Sequence, residues 1–228
     1  MPTGTPTRDP ETRGLRLVPV LLVLTMVSGL IDAVGYLGLG HVFTANMTGN
    51  VVILGFAAAG SPDFSVPHSA TSLAAFMLGA AVGGRMAARF GGGSRRRWMR
   101  VTLATEAVLV ATSAVVAFAG SGAPATTYTL IALTAFAMGL RNANVRKLGV
   151  PDLTATTVLT TTLTGLVSES RLGDGTSRRS PRRAGAITSL FAGAVLGAWL
   201  VRHHSPGVPL LVAAAVSGVL AVIASGRE

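Results

Sequence analysis

Apolar stretches of about twenty residues recur along this chain with only short loops between them, and few folds are open to a polypeptide built that way. A bilayer core of roughly 30 Å is crossed by about 20 helical residues. Six stretches approach or reach that length: Leu15 to Leu39, Ser69 to Ala88, Val101 to Ala119, Thr127 to Leu140, Ala184 to Val201 and Val208 to Ala224. The fourth is short, and its helix is expected to begin near Ala123 and to carry polar residues past Leu140. Because lipid leaves no water to satisfy the backbone, each should be a helix, which makes the chain an all-α, polytopic helical membrane protein. The composition agrees: 50% of residues are hydrophobic and 12% charged, against roughly 25% charged in ordinary soluble domains.

The first apolar stretch is longer than a signal core and no small-x-small cleavage site follows it, so it is expected to remain as a span. Residues 1–14 are expected to form a disordered tail and residues 15–228 a single membrane domain. With no cysteine, disulfides and thiolate metal sites are excluded. His41, His68, His203 and His204 lack metal-ligand spacing, so neither metal nor cofactor is expected. Nucleophile-elbow, zinc-protease, phosphate-loop and dinucleotide motifs are all missing, which argues against an enzyme.

A formal net charge of +10 raises the question of nucleic acid, but the basic residues fall in short loops between apolar stretches. There they set topology by staying cytoplasmic, with contact to anionic lipid as a secondary effect; the partner is the bilayer, not nucleic acid. The region 85–100 carries Arg85, Arg89, Arg95, Arg96, Arg97 and Arg100, and the region 168–183 carries Arg171, Arg178, Arg179, Arg182 and Arg183. Arg141, Arg146 and Lys147 mark a third inside region, and Arg8, Arg13 and Arg16 place the N-terminus inside as well. Gly60 to Pro67 and Gly120 to Thr126 carry no base and should lie outside.

These charges decide how residues 41–60 run. A full crossing there would throw the Arg95 cluster outside, whereas a segment that dips in and returns keeps it inside. The same holds for residues 149–168 between their two basic flanks. Both are therefore expected to be re-entrant half-helices, a backbone course tolerated at membrane depth where protein or a watery cavity surrounds it. Thr48 or Asn50 is expected to cap the first of them.

The two halves repeat. Gly29-Leu30 and Asp32-Ala33 recur as Gly139-Leu140 and Asn142-Ala143, and Thr44-Ala45 recurs as Thr154-Ala155, at one offset of 110 (139 − 29 = 110). Gly79-Ala80 and Gly83 recur as Gly193-Ala194 and Gly197 at 114 (193 − 79 = 114). Repeats of about 15–121 and 123–226, each with three spans and one re-entrant segment, come out inverted, because an odd number of crossings starts the second copy on the opposite side. Both termini are then cytoplasmic.

The stretches "SGLIDAVGYLGLGHVFTANMTGNVVILG", Ser28 to Gly55, and "MGLRNANVRKLGVPDLTATTVLTTTLTG", Met138 to Gly165, resemble the YoaK family of small bacterial integral membrane proteins, a domain-of-unknown-function family. The resemblance covers nearly the whole chain after residue 15. It implies a multi-pass protein of the bacterial cytoplasmic (inner) membrane with about six helices and no settled activity, and it supplies no site residues.

Site residues must come from the chain itself. Asp32 costs roughly 2.5 to 3.5 kcal/mol at a helix centre on insertion scales, and it shares a helical face with Ser28, Gly29 and Tyr36. Two readings stand: a proton or cation site beside a half-helix N-terminus, or a structural carboxylate that binds Asn46 or Asn50 and locks the re-entrant loop. Asn142 stands at the equivalent place without a proton to exchange. Thr44, Asn46, Thr48 and Asn50, with Thr154, Thr157 and the neighbouring threonines of the second copy, either line a polar path or satisfy backbone groups freed by the broken helices. Glu106 is expected at the cytoplasmic interface, the other reading being an ion pair with Arg85, Arg141 or Arg146; Arg141 is expected to act as a topology arginine, the other reading being that it neutralises Asp32 or attracts an anion. Trp98 and Trp199 fit interfacial belts. Gly29, Gly79, Gly83, Gly139, Gly193 and Gly197 allow close helix packing, within the chain or between protomers of a homo-oligomer. The expected function is a small-solute transporter or channel-like permease; the alternatives are a partner-binding scaffold and an intramembrane enzyme.

Overall fold

The computed structural model describes residues 17–90, 95–120, 123–148, 159–171, 173, 175–176 and 180–223. Among them are eight helices and no strand: α1 (Leu17–Gly38), α2 (Met47–Ala58), α3 (Val66–Phe90), α4 (Arg95–Ala119), α5 (Pro124–Leu148), α6 (Leu159–Ser168), α7 (Ser180–His203) and α8 (Gly207–Ile223). The tail 1–14, Thr154, Thr157 and the first part of the second expected re-entrant segment lie outside the described residues.

Four helices, α1, α3, α4 and α7, are long and apolar enough to cross a membrane. At 1.5 Å per residue, the 25 residues of α4 extend about 37 Å, more than a hydrocarbon core. Several helices outrun their apolar stretches. α3 reaches Phe90, α4 starts at Arg95, and α5 continues through Arg141 and Arg146 to Leu148. Basic residues expected in loops therefore stand on helix ends, where long side chains reach polar surroundings while their stems cover apolar surface. The polar start of α5, Thr126, Thr127, Tyr128 and Thr129, together with Arg141, dilutes its apolar run, and α5 is not among those four. By contrast, the 12 residues of α2 extend about 18 Å, too short to cross.

The long helices pack in pairs, α3 on α5, α1 on α7 and α4 on α8, while α2 lies on α3 and α6 on α7. Glycines set the two closest seams. A Cβ at Gly79 would collide with the Phe136 carbonyl and one at Gly139 with that of Phe76; at Gly83 it would meet Leu140. On the other seam, a Cβ at Gly193 would strike the Met26 carbonyl, one at Gly29 that of Leu190, and one at Gly197 that of Leu30. With no hydrophobic drive between helices in lipid, such backbone approach is what van der Waals packing requires.

Among α1, α3, α4 and α7, α1 is the most buried, at 56% of its apolar stretch against 22 to 33% for the other three. Its Val27, Leu30, Ile31 and Val34 meet Val110, Ile131, Met138 and Leu210 in a central core. The outward faces carry Leu78, Val108, Val115, Phe191 and Val222, all more than half exposed. A soluble monomer rarely shows so much apolar surface; lipid would cover it.

Candidate functional site

The site grows from the end of α1. After Gly38 the chain turns through Gly40 (φ +88°) and His41 (φ +58°), left-handed conformations that a glycine adopts at no steric cost. The returning strand then lies against α1 at Gly35, where a side chain would strike the Val42 carbonyl. This close return brings the N–H groups of Thr44 and Ala45 to 2.9 and 2.7 Å from Oδ1 of Asp32. The buried carboxylate thus holds the loop through backbone donors, not through the side chains of Asn46 or Asn50. Charge-assisted bonds of this kind are roughly twice as strong as neutral ones.

Asn50 is the second clamp. Its Oδ1 accepts from the Phe43 N–H at 2.8 Å, and its Nδ2 donates to the Phe43 carbonyl at 2.5 Å and to Ser72 Oγ at 2.9 Å. Ser72 Oγ in turn donates to that carbonyl at 2.7 Å, which ties α2, the loop and α3 together. Neither Thr48 nor Asn50 caps α2, as the sequence had suggested. Asn46 does, its Oδ1 accepting from Gly49 N–H at 3.4 Å; Asn50 lies a full turn too far along and is already spent on Phe43.

Beside this loop lies a cavity of about 470 Å³. Asp32 and Tyr36 of α1, Asn46, Thr48, Gly49 and Phe56 of the loop and α2, Phe43, Phe64, Leu159 and Thr160 at the start of α6, and Leu190 of α7 line it. Of the expected site residues it gathers Asp32, Tyr36, Asn46 and Thr48. Thr44 is buried behind it with an unpartnered hydroxyl, Asn50 is turned away into its clamp, and Asn142 sits half-buried on α5 away from the cavity. Phe43, stacked on Tyr36 at 5.0 Å, and the neighbouring Phe56 and Phe64, 5.8 Å apart, are wall residues that the sequence does not single out. Single phenylalanines in apolar sequence carry no positional signal, so nothing in the chain marked them.

A second polar cluster lies among α1, α4, α5 and α8. Arg141 Nη1 pairs with Glu106 Oε1 at 3.0 Å, both side chains almost wholly buried. Nη2 of Arg141 donates to Ser28, and Ser217 Oγ donates to Glu106 Oε1 at 2.9 Å, while Glu106 Oε2 has no partner. Glu106 is therefore in the ion pair that the sequence offered as its other reading, with Arg141 as the partner. The helices cross so that opposite charges meet at one depth, and a buried charge is retained when paired. Trp98 is also internal, donating to Asn144 Oδ1 at 2.5 Å, whereas Trp199 is half exposed. Arg183, expected to set topology, grips Glu169 at 2.8 Å and the Gly165 carbonyl at 2.7 Å, holding the end of α6 against α7. Hydroxyls elsewhere, such as those of Thr102, Thr105 and Thr134, bond back to the carbonyl one turn earlier. Among the described residues no cluster of metal-ligating side chains occurs.

Long apolar helices with lipid-suited faces, paired through glycine seams around buried polar groups, define a helical transmembrane protein. The chain belongs to a family described as protein of unknown function (DUF1275), which it matches over residues 20–223. It is similar to the UPF0700 transmembrane protein YoaK of Bacillus subtilis (strain 168), with 36% identity over 153 residues. That match covers 66% of this chain and 65% of the relative, so the chain spans just under two thirds of the curated protein it resembles. No solved structure matches.

Proposed function

We propose that the protein is a small-solute transporter or channel-like permease of the bacterial cytoplasmic membrane, with the cavity beside Asp32 as its solute site. The cavity carries this reading. It joins the buried carboxylate of Asp32 to the capped start of α2, with Leu159 and Thr160 of α6 on the same wall. Half-helix termini directed at a central site are a recurrent transporter plan.

In this reading α1, α3, α4, α5, α7 and α8 span the membrane while α2 and α6 are re-entrant, with both chain termini cytoplasmic and a single domain after the tail. The halves form a 3+3 inverted repeat. The glycine seams support it: adding 110 on α1 and 114 on α3 converts the contact of Gly29 with Leu190 into that of Gly139 with Phe76, numbered in reverse order. The same shifts convert Gly79 on Phe136 into Gly193 on Met26, and Gly83 on Leu140 into Gly197 on Leu30. Asp32, Tyr36, Asn46 and Thr48 contact solute; Thr44 and Asn50 shape the loop; Asn142, Thr154 and Thr157 serve the second half.

The scaffold reading is weakened because the glycine faces it would offer to a partner are filled within the chain. A homo-oligomer would have to use other faces. No residue set suited to covalent chemistry lines the cavity, which favours passage over catalysis.

The test is flux. Proteoliposomes holding the full chain should move at least one member of a panel of small cationic, neutral and anionic solutes. Asp32→Asn and Asn46→Ala should each lower that flux severalfold while the thermal melting profile stays near that of the parent. Flux indifferent to both substitutions, or none for any solute, would defeat the proposal.

A further inference from the structure

We infer that the cavity selects an organic cation, an ammonium group carried on an apolar body. This rests on the transport reading for its biological sense but not for its physical argument. Asp32 supplies the only formal charge on the described wall, and no lysine or arginine lines it. Oδ1 of that carboxylate is occupied by two backbone N–H groups, and the N–H of Asn46 also acts on it. A carboxylate offers about four lone-pair sites, so acceptor capacity remains for a ligand cation. The bonds to the loop hold the carboxylate in place whether or not a ligand is present, which limits the ordering cost of binding.

The rest of the wall discriminates among cations. Tyr36, Phe43, Phe56 and Phe64 place four aromatic rings around the chamber in two neighbouring pairs. A hard inorganic cation seeks six or more oxygen ligands, and ring faces offer it little. An alkylammonium uses both parts of this wall, with its charge near the carboxylate and against ring faces and its carbon body on apolar side chains. The volume of about 470 Å³ falls in the range of sites for drug-sized molecules, roughly 300 to 1,000 Å³. Thr160 from α6 adds one hydroxyl to the wall for a polar substituent.

Three probes of one shape separate the possibilities: benzyltrimethylammonium, its neutral carbon isostere neopentylbenzene, and the anion benzylsulfonate. Saturable binding to the purified full chain is expected for the cation at least tenfold more tightly than for either other probe. Asp32→Asn, which keeps an oxygen for the Thr44 and Ala45 N–H groups, should weaken the cation tenfold or more. Phe64→Leu, outside that loop clamp, should weaken it severalfold and guards against a folding defect in the first variant. Equal or tighter binding of the neutral or anionic probe, no saturable binding of the cation, or cation affinity unchanged by both substitutions would each overturn the inference. The transport reading fails separately. Cation binding with no flux of any solute would leave this inference standing and remove the other, and flux of benzylsulfonate in preference to the cation would do the reverse.

Discussion

Asp32, Asn50 and the Glu106–Arg141 pair show two ways in which a polar side chain is accommodated inside apolar helices. Asp32 and Asn50 satisfy backbone that the broken helix leaves open. Asn50→Ala strips the Phe43 N–H of its acceptor and the Phe43 carbonyl of one of its two donors, and a buried unsatisfied group costs about 1–3 kcal/mol. The expected outcome is a melting temperature lowered by several degrees, with Asn50→Asp, which keeps only the acceptor, close behind. The pair at Glu106 behaves differently. Arg141→Met leaves a buried carboxylate uncompensated and should destabilise by about 3–5 kcal/mol, whereas replacing Glu106 by Leu in the same chain should recover most of that loss. Detergent-resolved unfolding of both single variants and the double variant measures the coupling; additive losses would show that the two charges do not interact. Asp32 could be singled out in the sequence because a lone acid in an apolar helix is costly. The partner of Glu106 could not, since which arginine meets it depends on how α4 and α5 cross.

At the scale of elements, the seams between α3 and α5 and between α1 and α7 make a prediction with its own control. Gly79→Ala and Gly193→Ala each drive a Cβ into a facing carbonyl; overpacking of this sort costs about 1–3 kcal/mol or more. Gly84 stands on the same α3 with open space where its Cβ would be, so Gly84→Ala should be neutral or stabilise by up to about 1 kcal/mol through helix propensity. Thermal melting in one detergent compares all three. Equal effects at Gly79 and Gly84 would mean that the seam is not as close as described. The spans themselves were legible because hydropathy reports lipid contact residue by residue. Their ends were not: α5 runs on through Arg141 and Asn144 because its polar face is buried against α1 and α4, a matter of neighbours that composition does not contain.

For the molecule as a whole, topology is the quantity most open to direct measurement, because the chain has no cysteine to interfere. Single cysteines at Ser65, Ser121 and Ser177 should label with an impermeant thiol reagent from outside at the first two positions and only after permeabilisation at the third. Labelling at Ser177 with protection at Ser65 would overturn the proposed orientation, with both termini cytoplasmic. The sequence by itself determined that this chain is an all-helical transmembrane protein, because that follows from local transfer energies and helix length. Tertiary structure alone decided that Asn46 caps α2, that Arg141 meets Glu106, and that Tyr36, Phe43, Phe56 and Phe64 share one chamber with Asp32. Those outcomes depend on which backbones approach closely enough for side chains from distant positions to touch, and that is set by the packing of whole helices rather than by any one stretch of chain.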